Sequence, residues 1–201
     1  MHAMAIDNPS VFALGLTLAW LAGVRVYLTV FGIGLAGAMG WMQLPRELQA
    51  TMSPWVIAVC GALALIEFFA DKIPGVDSGW DLLHTLLRIP VGAFLTAAAM
   101  SPDGSLHTGA LVAGGALALT SHGIKTATRA LINTSPEPLT NWSASLGEDA
   151  VSLTAIALLA AHPWLALGLS VGALLLAALI VSWIFRAVLR RLSHRRTEAT
   201  A

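Results

Sequence analysis

The sequence predicts an all-α, polytopic transmembrane helical bundle of about six spans, and three observations carry that prediction. Of its 201 residues 57% are hydrophobic and 11% charged, whereas soluble domains are about 45–50% apolar. Mean hydropathy is +0.77, and the apolar residues form runs long enough to cross a bilayer, separated by connectors bearing proline and glycine. The few charges are clustered: Glu67, Asp71, Lys72, Asp77, Asp81, His84 and Arg88 crowd the stretch EFFADKIPGVDSGWDLLHTLLR. An ionised side chain at the centre of a membrane helix costs at least about 2.5–3.5 kcal/mol, so such a cluster has to be paired, hydrated or functional.

The chain reads as one integral membrane domain, 1–201. No Lys or Arg precedes the first apolar run, which is too long for a signal peptide, so it reads as a retained span over 11–39, capped by Asn8 or Ser10. As a helix it is about 40 Å long against a hydrocarbon core of about 30 Å, so it tilts or breaks, and Gly23 and Arg25 mark the break. Gly32, Gly34, Gly37 and Gly40 suit close helix packing. A polar connector, 41–53, leads to the second span, 54–70. Pro74, Gly75 and Gly79 then interrupt the helix, with Ser78 as N-cap of a third span, 80–100, kinked at Pro90. SPDGS is a turn and 107–131 the fourth span. Pro136 and Pro138 break the chain again before spans 142–162 and 164–188, and 189–201 is a basic tail.

Formal net charge is zero, which gives no reason to expect a nucleic-acid partner. Cys60 stands alone, so no intrachain disulfide forms, and it reads as helix packing. Lys and Arg crowd one side: Lys72, Lys125, Arg129 and the C-terminal arginines against Arg46 alone. With six spans that places both termini in the cytoplasm of a cell with an inner membrane. Trp20, Trp41, Trp55, Trp80, Trp142, Trp164 and Trp183 fall largely near span ends, as interfacial belts do. The middle of the chain also echoes itself. GALAL occurs at 61–65 and at 115–119, each copy leading to a proline and then, six residues later, a tryptophan: Pro74 with Trp80, Pro136 with Trp142. These proline-broken helix pairs would form a parallel internal repeat.

Three motifs, GVRVYL at 23–28, EFFADKIPGVDSGWDLLHTLLRIPVGA at 67–93 and KTATRALINTSPEPLTNWSASLGEDA at 125–150, resemble the uncharacterised family of polytopic membrane proteins known as domain of unknown function 4126. Thr29 stands where similar proteins are expected to carry proline. The resemblance implies a polytopic membrane fold and supplies neither substrate nor catalytic residues.

Function is therefore argued from the polar residues. Positions three, four and seven apart share a helix face. Glu67 and Asp71 form one acidic ridge; Asp81, His84 and Arg88 form a stripe on the next helix, near enough for the ridge to meet Arg88. His122, Lys125 and Arg129 form a basic stripe, answered by Glu148 and Asp149. Asp77, Ser78, Asn133, Ser135 and Asn141 flank the two proline breaks, where irregular backbone at membrane depth lines cavities and helix N-termini at Trp80 and Trp142 attract anions. The leading reading is a carrier for a small ion, a polar or anionic solute or a lipid head group, with Arg25 among the polar-cavity candidates. The alternative is a non-transporting scaffold or assembly partner whose ion pairs only staple hairpins or sit at head-group level. No HExxH, CxxC or GxSxG spacing occurs, so neither a metal, a cofactor nor an enzyme activity is indicated.

Overall fold

The computed structural model describes residues 8–101, 105–134 and 138–199, and these are helices and short connectors. Helix α1 spans Asn8–Ala38, a 3-10 helix Arg46–Met52, α2 Pro54–Ala70, α3 Val76–Ala99, α4 Thr108–Ile132, α5 Pro138–Ala161 and α6 Pro163–Ala199. The expectations for 102–104, Ser135 and Pro136 fall outside the described residues, and so do the side chains of the tail from Arg191 onward.

Helix α1 is the axis. It packs on all the other helices, and its first half is buried from Ala13 through Ala22 but for Leu16. The molecule has an inverted polarity. Leu86, Trp55, Leu139, Leu82 and Leu83 are 74–86% exposed, whereas Glu67, Asp71, Asp81, Arg88 and Arg129 are 0% exposed. Water favours the reverse arrangement and lipid favours this one. Four helices, residues 10–38, 76–99, 139–161 and 163–187, are long and apolar enough to cross a membrane; a fifth span results if the 3-10 helix and α2, bent by 69°, count together. The fourth span of the sequence reading, α4, falls short because it carries Lys125 and Arg129 among small and polar residues.

Several boundaries differ from expectation. Helix α3 begins at Val76, not Trp80, because Gly75 takes φ +85° and completes the turn by itself, so Gly79 lies within the helix. Ser78 is consequently no N-cap; Asp77 Oδ1 instead accepts from the N–H groups of Gly75 (2.8 Å) and Ser78 (2.6 Å). Helix α5 begins at Pro138, four residues before Trp142, since proline suits the first helical position. The connector 41–53 is not simply polar: Leu48 and Thr51 of its 3-10 helix are buried. Ser10 already lies inside α1. Of the tryptophans, Trp20 is buried in the core, while Trp41, Trp55, Trp142, Trp164 and Trp183 are exposed as a belt requires. The glycine series divides: a Cβ on Gly34 would collide with the Thr51 carbonyl, whereas Gly40 forms an open turn at φ +71°. Both GALAL copies lie in helices, α2 and α4, that lead through a connector into a tryptophan-bearing helix.

Candidate functional site

The site begins with an interruption in α1. Arg25 leaves helical geometry at φ −143°, ψ 72°. Its guanidinium cannot face lipid, and the backbone gives way beside Gly23, where a Cβ would collide with Ser121 Oγ and the Ala118 carbonyl of α4. The carbonyls around the break are taken up by side chains. Gly23 O accepts from Arg88 Nη1 at 3.3 Å, Val24 O from Lys125 Nζ at 3.2 Å, and Arg25 O from Thr29 Oγ1 at 2.7 Å. Two cations thus meet the partial negative charge where the first half of α1 ends.

From there one continuous ion-pair network runs through the other helices. Arg25 reaches Asp71 at 2.5 Å, Asp149 at 2.8 Å and Glu148 at 3.6 Å. Arg88 on α3 holds Glu67 of α2 at 2.5 Å and Asp81, two turns back on the same face of its own helix, at 2.9 Å. Lys125 on α4 joins Asp71 (2.7 Å), Asp81 (3.3 Å) and Glu148 (3.8 Å). Arg129 closes on Glu148 at 2.8 Å and Lys72 on Asp149 at 3.5 Å. The Lys72 ammonium also lies 3.0 Å from the centre of the Phe68 ring. Five cations, Arg25, Lys72, Arg88, Lys125 and Arg129, therefore face five acids, Glu67, Asp71, Asp81, Glu148 and Asp149, and with all ten charged the sum is zero.

Two further branches adjoin it, the first ending on a sixth buried acid, Asp77, outside the ion pairs. Asn133 donates to both Asp77 oxygens at 2.9 and 3.1 Å and to Ser78 Oγ at 3.0 Å, while Asn141 donates to Asn133 Oδ1 at 3.2 Å and accepts from Arg129 at 2.6 Å. The polar residues of the two connectors thus close on one another rather than lining an open cavity. His122 forms the second branch. Arg88 Nη1 has only hydrogens to give, so His122 Nδ1 (3.1 Å) accepts; its Nε2–H then donates to Thr85 Oγ1 (2.8 Å), whose own hydrogen goes to the Asp81 carbonyl. His122 is accordingly a neutral relay and adds no charge to the stripe of Lys125 and Arg129. His84 stands apart, stacked on Trp80 at 4.2 Å and edge-on to Tyr27 at 5.4 Å.

The spacing rules bring the ridge of Glu67 and Asp71 to Arg88; Glu67 meets it, whereas Asp71 turns to Arg25 and Lys125. The polar-cavity candidates do not include Ser145, whose hydroxyl lies 3.1 Å from Arg25 Nη2 and 3.3 Å from Lys72 Nζ, or Thr85. A signal for Ser145 existed: Asn141, Ser145, Asp149 and Ser152 recur every three or four residues on α5, and all four are buried.

Satisfaction is incomplete. Glu67 Oε2, Asp71 Oδ1, Asp81 Oδ2 and the Nε atoms of Arg25, Arg88 and Arg129 have no hydrogen-bond partner among the described residues, and Asp81 Oδ1 meets its two cations as ion pairs without hydrogen-bond geometry. Among those residues the acids also form no cluster that would hold a metal ion, because cations lie between them. Two apolar grooves approach the network from different sides. One, of about 290 Å³, reaches Lys125 and Glu148 between α4, α5 and α6; another, of about 450 Å³, reaches Arg25, Glu67 and Asp149 between α2 and α5.

No curated protein and no solved structure matches this chain. The profile of one family, described as Domain of unknown function (DUF4126), matches residues 12–183 and so takes in the broken α1, both hairpins and every member of the charge network, and the chain belongs to that family.

Proposed function

We propose that this protein is a proton-coupled carrier for a small anion, with the ten-membered network as its occluded, resting state. The observation that carries this reading is the balance of charge: with five cations against five acids the buried network has no charge to spare. A proton taken up by one acid leaves a surplus of one positive charge in a medium of low dielectric, and a bound monoanion restores neutrality. Asp149 and Glu148 are the entry points, since theirs are the most exposed side chains among the five acids of the network, 13% and 18%. Glu67, with one oxygen unpartnered, is the inner acceptor. In this reading α4 is also a span, its cations turned inward, and six spans keep both termini on the cytoplasmic side of an inner membrane.

The test is flux in proteoliposomes carrying an internal pH dye, with chloride, nitrate, acetate and phosphate offered under a pH gradient. Glu67→Gln and Asp149→Asn each abolish anion-dependent proton entry in protein that still folds; flux that survives both changes removes the carrier. The scaffold reading keeps one observation of its own, the closure of Asp77, Asn133 and Asn141 on each other beside grooves that are apolar. Ser78→Cys and Ser145→Cys separate the two, because a carrier exposes at least one of them to a water-soluble thiol reagent and a scaffold protects both from either side.

A further inference from the structure

We propose that the groove between α2 and α5 is a binding site for a single-chain amphiphile with a hydroxyl head group. Helices α2 and α5 each pack on α1 but make no substantial contact with one another. The gap is walled by Leu28, Phe31, Ile57, Leu65, Phe68 and Leu153. It continues past Leu28, Phe31 and Leu153 into a second lobe of about 540 Å³ that ends at Trp41. Each lobe is in the size range of ligand pockets, and from Arg25 to Ala36 the floor runs about 16 Å along α1. Leu65 and Leu153 on its rim are more than half exposed, so an alkyl chain enters sideways from the bilayer.

The inner end chooses the head group. Arg25 Nε, a donor, and Glu67 Oε2, an acceptor, belong to two fully buried residues that line this groove, and neither atom has a hydrogen-bond partner among the described residues. A hydroxyl is the smallest group that accepts from the one and donates to the other. With all ten members of the network ionised, an anionic head would add a charge that nothing matches, and an alkane would leave both atoms unpaired. This site stands whether or not an anion is carried.

The experiment is photolabelling of the purified full-length protein in detergent with a diazirine-bearing hexadecan-1-ol, competed by hexadecan-1-ol, hexadecane, hexadecanoic acid at alkaline pH and hexadecyl phosphate. The alcohol is expected to displace the label at concentrations about tenfold or more below the other three, equivalent to about 1.4 kcal/mol, and adducts should map to 54–70 and 151–161. Ala58 and Ala62 line the groove from exposed positions, so Ala58→Phe with Ala62→Phe should cut labelling about tenfold without lowering the unfolding temperature. Equal displacement by hexadecane, stronger displacement by the phosphate or the fatty acid, adducts elsewhere, or full labelling of the folded double variant overturns the proposal. Should the double variant not fold, the competition series decides alone. Labelling without flux leaves this site standing and removes the carrier; flux without labelling does the opposite.

Discussion

The hairpin α2–α3 and the hairpin α4–α5 carry their charges in opposite order. The first ends its leading helix on acids, Glu67 and Asp71, and the second on cations, Lys125 and Arg129. Their burial differs more than their sequences suggest. Side chains of Asp71 and Asp81 are 0% exposed and each is pinned by two cations, whereas Glu148 and Asp149 sit one in each groove and retain some exposure. In the carrier proposed above, the first hairpin is the fixed wall of the network and the second the wall from which it opens. Arg25 belongs to neither and ties both, so its loss is the largest perturbation available. Arg25→Met leaves Asp71 buried with one cation fewer and removes the bridge to Glu148 and Asp149. Breaking a buried pair from one side costs about 3–5 kcal/mol, and thermal unfolding in detergent should fall accordingly. Arg25→Lys should recover only part of the loss, since an ammonium cannot fork toward three acids. Full recovery with lysine would show that the charge matters and the geometry does not.

The contrast between the hairpins sharpens on a pair of isosteric changes. Glu67→Gln removes a carboxylate that is fully buried and held at 2.5 Å by Arg88, and should lower stability by about 2–3 kcal/mol while leaving a folded protein. Asp149→Asn acts on an acid whose side chain keeps 13% exposure and whose neighbours Arg25 and Lys72 keep other partners, so a smaller loss of about 1–2 kcal/mol is expected. Chemical denaturation of the two variants checks the order. If Asp149→Asn is the costlier, the assignment of fixed and opening walls is reversed.

The parts of this arrangement that the sequence made legible are the local ones. Helix α2 has the bounds its proline and its acids suggest, Pro54 to Ala70, and the break in α1 falls at Arg25 because a glycine and a cation inside an apolar run fit no regular membrane helix. Stripes such as Asp81–Arg88 and Lys125–Arg129 follow from helical spacing, which fixes what lies on one face of one helix. Which face meets which is another matter. Arg25 finds Asp71 and Asp149 at separations of 46 and 124 residues, and no periodicity encodes such distances. The helix starts at Val76 and Pro138 are obscured for a different reason: the glycines and prolines of these two connectors read as breakers, although proline is at home in a first turn and one glycine at positive φ suffices for the bend. The neutrality of His122 follows from the donors around it, none of which is adjacent in sequence.

The smallest effect tests the hinge on which the comparison turns. Thr29 donates to the carbonyl of Arg25, four residues back, and Thr29→Val should cost about 1 kcal/mol by leaving that carbonyl one donor short. Proline at this position is more informative. In an unbroken helix it removes an N–H and its ring clashes with the carbonyl four residues earlier, at a cost of about 3 kcal/mol. Here that carbonyl belongs to Arg25, which has already left helical geometry. Thr29→Pro should therefore cost well under the usual penalty and leave the network formed, as judged by thermal unfolding and by an unchanged difference between Glu67→Gln and Asp149→Asn in its background. A full helix-breaking penalty would mean that α1 is continuous through Arg25, and a continuous α1 has no free guanidinium to hold the two hairpins together.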